Sequence, residues 1–218
     1  MKLEDNNISE IKPSSLGGAG GGKLVIINYG AGNIKSIQFA FKRLGVDAVL
    51  SNSPEEILAA DKIIFPGVGE ASSAMAMLKE TGLDTLIPKL KQPVLGICLG
   101  MQLLCEFTEE GNTKGLGVFK TTVKRFDNNV KVPQMGWNVI KDLKSELFKG
   151  IKENEYMYLV HSYYAEHCAE TIATTDYGIN YASALRHNNF YGVQFHPEKS
   201  SLAGEKILEN FLELDIKY

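Results

Sequence analysis

The sequence predicts an α/β fold with a mainly parallel central sheet, covered by helices on both faces, and an additional antiparallel portion. Two observations support this prediction. Up to about residue 117, short apolar runs alternate with segments whose apolar residues recur at helical spacing, which is the pattern of right-handed βαβ units. From residue 118 to residue 139, β-branched residues and turn signals such as Asp127-Asn128-Asn129 instead indicate an antiparallel meander.

Each element follows from a local pattern, taken in chain order. The apolar run Leu24–Ile27 is typical of a buried strand, and Ile34, Ile37, Phe41 and Leu44 follow at the spacing of an amphipathic helix. Further short apolar runs predict strands at 48–50, 63–65, 94–97, 157–160, 182–185 and 190–195. Helical patterns occupy 54–60, 74–78, the segment from Met101 to Phe107, and a closing segment around 207–212, for which Ser200 or Ser201 is the expected cap.

Composition defines the broad class of protein. The 218 residues are enough for one full-sized domain, expected over residues 23–218, while residues 1–22 resemble an expression tag with a glycine-rich linker. A net charge of −3 gives no reason to expect a nucleic-acid partner, and no apolar run approaches the ~20 residues of a membrane span. The odd number of cysteines (Cys98, Cys105 and Cys168) favours reduced thiols in the cytoplasm over a disulfide framework.

The most informative motif is a candidate nucleophile at the end of an apolar strand. A predicted strand runs directly into Gly96-Ile97-Cys98-Leu99-Gly100, and a helical pattern follows. This spacing has the form of a nucleophile elbow with sulfur in place of oxygen, and the glycines permit a tight turn. A thiol above a helix N-terminus is favoured as thiolate, and the free N–H groups of that turn can hold an oxyanion.

A cysteine nucleophile needs a base, and His196 is the best-placed candidate. It lies in Gln194-Phe195-His196-Pro197-Glu198, where two-residue spacing in an extended segment would send His196 and Glu198 to the same face. Pro197 favours that extended conformation. Glu198 would then fix the imidazole tautomer. The alternative is an exposed loop that happens to contain a histidine and a glutamate.

Phe65-Pro66-Gly67-Val68-Gly69 is a second candidate element of the site. It follows a predicted strand and could present peptide N–H groups to a developing oxyanion. The alternative is an ordinary turn between a strand and a helix.

Other candidate residues have open interpretations. His161 ends a strand and is either structural or part of the pocket, and Trp137 belongs either to the core or to an interface. Cys105 is expected to be a buried apolar side chain. Cys168 beside His167 lacks the ligand spacing of a zinc motif, so neither a metal nor another cofactor is expected.

Three motifs together identify a family. Gly-Ile-Cys-Leu-Gly-Met-Gln at 96–102, Pro-Gly-Val-Gly at 66–69 and Gln-Phe-His-Pro-Glu at 194–198 resemble the class I (triad-type) glutamine amidotransferases. Within that class, the segments at 28–33, 132–138 and 160–164 resemble the glutaminase subunits of imidazole glycerol phosphate synthase, of histidine biosynthesis. The resemblance covers about residues 24–216. It implies the three-layer sandwich of that family.

The resemblance also implies roles for individual residues. Cys98 would be the nucleophile, His196 the general acid and base, and Glu198 its orienting partner. Leu99 with Gly67, Val68 or Gly69 would supply the oxyanion hole, and Gln102, Ser162 and Tyr163 would bind the substrate glutamine. Ammonia would pass to a (β/α)8-barrel cyclase subunit in a heterodimer, with Trp137, Tyr158 and Lys199 at or near the interface. In the family, ligand binding to the barrel raises glutaminase activity.

One departure and several alternatives accompany this prediction. Gln134 stands where the family segment commonly has His, which leaves the triad untouched but removes a titratable group beside the expected interface. The main alternative is a paralogous glutaminase subunit that supplies ammonia to a surface-sugar amidation enzyme. A non-catalytic scaffold and a stand-alone peptidase or γ-glutamyl hydrolase are the others.

Overall fold

The computed structural model describes residues 22–30 and 33–214. The expected leader therefore lies outside the described residues except for Gly22, as do Ala31 and Gly32 of the segment at 28–33. Strands and helices alternate in the first half of the chain, and strands dominate the second. Within the described residues the strands are β1 (Leu24–Ile27), β2 (Val49–Ser51), β3 (Lys62–Gly67), β4 (Val94–Cys98), β5 (Cys105–Thr108), β6 (Thr113–Lys114), β7 (Phe119–Arg125), β8 (Gln134–Ile140), β9 (Glu155–His161), β10 (Tyr163–Ala165), β11 (Thr171–Asp176), β12 (Asn180–His187) and β13 (Phe190–Val193). The helices are α1 (Ile34–Arg43), α2 (Pro54–Leu58), α3 (Ala71–Glu80), α4 (Leu83–Leu86), α5 (Leu99–Leu104) and α6 (Ser201–Glu213), with short 3-10 turns at Ile87–Lys89, Glu110–Asn112, Glu146–Phe148 and Pro197–Lys199.

The strands form one large mixed sheet and one small one. The large sheet has the order β2-β1-β3-β4-β13-β12-β10-β7-β5-β6, and β11 pairs with β12 beside that path. Strands β2, β1, β3, β4 and β13 are parallel neighbours, whereas β13-β12, β12-β10 and β10-β7 are antiparallel pairs. The small sheet is the antiparallel pair β8-β9. The predicted fold class, mainly parallel with an antiparallel portion, is confirmed.

The central sheet separates two apolar layers. In β1, Val25 and Ile27 pack with α2, α3 and α5 on one face, while Leu24 and Ile26 pack with α1 and α6 on the other. The second face also receives the inner side chains of the β8-β9 pair, including Met157 and Leu159. Because β1 is buried on both faces, it is apolar at every position, as expected of a central parallel strand.

The antiparallel meander predicted over 118–139 is wrong in its pairing. Strands β7 and β8 do occupy this segment, but β7 pairs with β10 and β5, and β8 pairs with β9 in the other sheet. β-branched residues and turn signals indicate that a segment is extended, but they do not specify which strand it pairs with.

The helix predicted to continue from Met101 to Phe107 ends at Leu104 instead. The last carbonyls of α5 accept hydrogen bonds from another segment: Leu116 N donates to Leu103 O at 2.8 Å and Val118 N to Leu104 O at 2.8 Å. The next residues form β5, where Cys105 pairs with Phe119 of β7. Pairing with distant strands therefore overrides the local helical spacing. Cys105 is buried, as predicted.

The closing helix follows Ser200, but this serine does not cap it. No side-chain hydrogen bond caps α6. The Ser200 hydroxyl donates to His196 O at 2.6 Å and accepts from Tyr158 N at 3.0 Å. It therefore ties the segment that precedes α6 to β9.

Within the described residues, no helix has the length and apolarity needed to cross a bilayer.

Candidate active site

A cleft of about 360 Å³ opens at the carboxyl ends of the central parallel strands. Most of the site residues predicted from sequence meet there, although they come from distant parts of the chain. Predicted residues that line it are Val68, Gly69, Cys98, Leu99, Gln102, Ser162, Tyr163, His196 and Lys199. Glu110, Pro133, Val160 and His161 complete the lining. The cleft lies where the ends of parallel strands are expected to form a site.

Cys98 occupies a strained position at the end of β4. Its φ is 54° and its ψ is −112°, a conformation rare for a residue with a Cβ, and its side chain is buried except for a small fraction. Cys98 pairs in register with Gly67 of β3. A Cβ on Gly100 would collide with the carbonyl oxygen of Phe65, and one on Gly67 would lie 2.5 Å from Gly100 N. The turn therefore requires glycine where the helix backbone touches β3.

His196 and Glu198 form a buried pair beside Cys98. The Nδ1 atom of His196 lies 2.8 Å from Oε1 of Glu198, and their side chains are 3% and 0% exposed. His196 is extended, as the following proline predicts, but the extended segment expected through Glu198 is wrong: Pro197–Lys199 is a 3-10 turn, and Glu198 contacts the imidazole from this turn. The fixed φ of Pro197 suits the first residue of such a turn. The carboxylate therefore fixes Nδ1 as the protonated nitrogen.

The other imidazole nitrogen is available to Cys98. Among the described residues, Nε2 of His196 has no hydrogen-bond partner although it is buried. Burial lowers the pKa of His196, but interactions with Cys98 and Glu198 outweigh it and raise the pKa to about 10. A cysteine thiolate and a protonated histidine stabilise each other in this way, so the pair can exchange a proton.

The segment at 65–69, which is predicted to hold the oxyanion, is hydrogen-bonded to a residue of the segment at 28–33. The Tyr29 hydroxyl donates to Pro66 O at 2.8 Å, and burial raises the pKa of this phenol. Val68 and Gly69 line the cleft, and Gly69 has a φ of 101°, which favours glycine. Gly67 is buried and does not line the cleft, although it is in register with Cys98 on the neighbouring strand.

Gln102 and Tyr163 both line the cleft and are hydrogen-bonded to each other. The Gln102 side chain, on α5, is buried, and its Nε2 donates to Tyr163 O and to Gln194 Oε1, each at 2.9 Å. Gln194 belongs to the motif at 194–198, but the sequence predicts no role for it. Its contact with Gln102 depends on the order of the strands in the sheet, which the sequence does not give directly.

His161 belongs both to the pocket and to a buried aromatic cluster. Its Nδ1 is 2.7 Å from Tyr163 O, its Nε2 is 3.3 Å from the Tyr181 hydroxyl, and its ring packs on Phe126. Burial is the main cause that lowers the pKa of His161 to about 4. Gln134 joins this cluster, because its Oε1 accepts from the Tyr181 hydroxyl at 2.9 Å.

Glu110 is a cleft residue that the sequence did not single out. It lies in the 3-10 turn after β5, and its Oε2 accepts from Ala71 N at 3.0 Å. Burial raises the pKa of this carboxyl group. Its only sequence signal is a polar Glu-Glu-Gly turn, which does not differ from an ordinary surface turn.

The three predicted interface residues form a surface patch next to the cleft, in which Trp137 and Lys199 are exposed and Tyr158 is partly buried. Trp137 of β8 pairs across the small sheet with Tyr158 of β9, with ring centroids 6.1 Å apart, and Lys199 Nζ lies 5.9 Å from the Tyr158 ring centroid. Trp137 is 53% exposed, and its neighbour Met135 is 65% exposed. Trp137 is therefore not a core residue.

Comparison with known proteins gives the class. The family model described as glutamine amidotransferase class-I matches residues 25–214, so the chain belongs to the class I glutamine amidotransferase family, as the motifs predicted. It is 57% identical to imidazole glycerol phosphate synthase subunit HisH of Bacteroides fragilis, over 88% of this chain and 100% of that protein. The corresponding HisH of Haemophilus influenzae is 45% identical over 87% of this chain and 96% of that protein.

Solved structures agree on the fold. A putative GMP synthase subunit from Thermoplasma acidophilum superposes with a TM-score of 0.69 at 19% identity, covering 88% of this chain and 92% of that one. A glutamine amidotransferase from Thermotoga maritima gives a TM-score of 0.60 at 17% identity, covering 89% and 84%. At such identities the likeness concerns the fold alone.

Proposed function

We propose that this protein is the glutaminase subunit of imidazole glycerol phosphate synthase and hydrolyses glutamine to glutamate and ammonia. The observation that carries the proposal is the cleft in which a strained Cys98 meets the buried pair of His196 and Glu198. The HisH relatives, at 45–57% identity, favour histidine biosynthesis over the surface-sugar alternative. The family match over 25–214 supports one glutamine amidotransferase domain at 23–218.

The geometry supports a two-stage hydrolysis. The Cys98 thiolate attacks the side-chain carbonyl carbon of glutamine, and the C–N bond breaks as Nε2 of His196 gives its proton to the departing nitrogen, which leaves as ammonia. A γ-glutamyl thioester remains on Cys98. His196 then takes a proton from water, the resulting hydroxide attacks the thioester carbon, and the C–S bond breaks to release glutamate. Glu198 holds the imidazole in one orientation through both stages.

The developing oxyanion needs donors close to Cys98. The N–H of Leu99 is at the start of α5, where helical N–H groups lack intrahelical partners. One N–H from residues 67–69 would supply the second donor, because β3 places Gly67 opposite Cys98.

The remaining cleft residues fit the two ends of glutamine. Gln102 and the backbone of Ser162 and Tyr163 offer hydrogen bonds to the substrate, as the family pattern implies. Glu110 adds a carboxylate at the cleft wall, which can accept hydrogen bonds from the α-ammonium group of glutamine.

The surface patch of Trp137, Tyr158 and Lys199 suits a protein partner that receives ammonia. Aromatic residues with a basic neighbour are typical anchors of interfaces. The patch is also hydrogen-bonded to the backbone of the proposed base, since Tyr158 O accepts from His196 N at 2.9 Å. We therefore place a (β/α)8-barrel cyclase subunit over Trp137, Tyr158 and Lys199 as the second member of a heterodimer. We place the complex in the cytoplasm, which the three free cysteines support.

The test compares Cys98→Ala with the parent chain, each mixed with a candidate cyclase barrel and its ribonucleotide ligand. The variant should lose glutamine-dependent synthesis and retain synthesis from added ammonia, because only the thiol is removed. Glutamine hydrolysis by the variant at the parental rate would refute the catalytic assignment. If the parent chain hydrolyses glutamine at a rate that the barrel does not change, the cysteine chemistry stands but the partnership is refuted. If no mixture hydrolyses glutamine, the result favours a non-catalytic scaffold.

A further inference from the structure

A buried glutamine lies directly below the proposed nucleophile. Gln194 has no exposed surface, and its Nε2 is 3.7 Å from Cys98 Sγ. At the other end of the same amide, Oε1 accepts from Gln102 Nε2 at 2.9 Å. Gln194 therefore connects the nucleophile to a residue of the proposed substrate site.

The direction of these hydrogen bonds is fixed by the backbone. The carbonyl of Tyr163 can only accept, so the group of Gln102 that contacts it must be the NH2 group. That NH2 group also faces Gln194, which must present its oxygen there. The NH2 group of Gln194 is consequently directed at Cys98. If either amide were reversed, two donors or two acceptors would face each other inside the protein, which is unfavourable.

A donor directed at sulfur favours the charged form of the nucleophile. The thiol S–H can itself donate, to Val160 O at 3.9 Å, whereas a thiolate can only accept and therefore gains more from the N–H of Gln194. The same arrangement leaves Oε1 of Gln102, an acceptor, as the free end of that amide. The acceptor at Tyr163 O thus determines that Cys98 receives an N–H donor and that Gln102 offers its amide oxygen to the cleft.

We propose that Gln194 is a positioning residue: it donates to the Cys98 thiolate and fixes the orientation of the Gln102 amide. Gln194 does not touch the reacting atoms of glutamine and acts through Cys98 and Gln102. The inference rests on the proposed role of Cys98 as the nucleophile.

Two variants of different chemistry test the proposal. Gln194→Met keeps a similar volume but removes both hydrogen-bonding groups, and Gln194→Glu keeps the shape and the acceptor but replaces the donor with an acceptor. Ser183→Ala is the matched control, because Ser183 is equally buried, its carbonyl accepts from Gln194 N, and among the described residues its hydroxyl has no partner.

The decisive readout is the pH dependence of Cys98 alkylation by iodoacetamide in the full chain, followed by mass spectrometry of the Cys98 peptide. The midpoint should rise by about one pH unit in Gln194→Met and by more in Gln194→Glu, since a lost donor and an added negative charge both disfavour thiolate. It should not change in Ser183→Ala. With the cyclase barrel and its ligand present, kcat for glutamine should fall about tenfold or more in both Gln194 variants.

These readouts separate the positioning role from packing and from the proposed function. A loss of packing alone would lower the melting temperature without moving the alkylation midpoint. Folded variants with a parental midpoint and a kcat within twofold of the parent would overturn the proposal, as would failure of both to fold, which would make Gln194 a structural residue. Failure of the proposed function would instead appear as hydrolysis by Cys98→Ala.

Discussion

The strained backbone of Cys98 predicts an unusual order of stability between two variants. Cys98→Ala and Cys98→Gly both remove the thiol, but only alanine keeps the Cβ that is unfavourable at a φ of 54° and a ψ of −112°. Such backbone strain costs about 1–3 kcal/mol, whereas glycine loses only about 0.5–1 kcal/mol more conformational freedom than alanine on folding. We therefore expect Cys98→Gly to be more stable than Cys98→Ala by about 1 kcal/mol, roughly the difference between the midpoints of those two ranges.

Urea denaturation and thermal melting both measure this difference. For a chain of this size, about 1 kcal/mol corresponds to a melting temperature about 2–4 °C higher. Ala76→Gly is the control, because Ala76 is exposed in the middle of α3 and has ordinary helical geometry. It should lose about 0.5–1 kcal/mol relative to the parent, the usual cost of glycine in a helix. If Ala76→Gly shows this loss and Cys98→Gly is no more stable than Cys98→Ala, the turn does not store strain.

Three further predictions concern binding and pH. Trp137→Ala should weaken binding to the cyclase barrel about tenfold or more in calorimetric titration, with little change in melting temperature, because Trp137 is exposed; unchanged affinity would refute its role as an interface anchor. Glu110→Gln should raise KM for glutamine about tenfold with little change in kcat, since the charged partner of the α-ammonium group is lost; an unchanged KM would remove Glu110 from the substrate site. Burial lowers the pKa of His161 from 6.5 to about 4, so between these pH values the unfolded chain binds a proton that the folded chain does not. Unfolding free energy should therefore fall by about 3 kcal/mol as the pH drops from 6.5 to 4, and His161→Gln should abolish that part of the loss in parallel urea titrations.

The elements that the sequence predicted well are those with a purely local signal. The strand Leu24–Ile27 and the helix from Ile34 match the structure because an apolar run and a 3.6-residue period each report burial directly. The turn at Cys98 was also predictable from a local signal, because glycines two residues before and after a cysteine indicate a close approach of the backbone. The fold class was predicted from the alternation of strand and helix patterns, and the family from the motifs at 66–69, 96–102 and 194–198. Both predictions are confirmed.

Features that depend on which strands become neighbours were not predictable. The spacing of His196 and Glu198 identified the pair, and His196 is extended as predicted, but the residues after it form a 3-10 turn that the spacing did not indicate. Glu110 and Gln194 had no assigned role for a different reason. Their proximity to Cys98 follows from the packing of β5, β13 and α5, and no local period encodes it.

The topology explains how the proposed nucleophile and the proposed base come together from distant parts of the chain. Cys98 ends β4 and His196 follows β13, and these strands are parallel neighbours with Val193 in register with Ile97. On the other side of β4, Gly67 of β3 is in register with Cys98. All three strands end at one edge of the sheet, so Cys98, the proposed nucleophile, lies between the segment at 65–69 and His196, the proposed base. Because a one-residue shift between neighbouring strands turns each side chain to the opposite face, the register of β3, β4 and β13 determines the catalytic geometry.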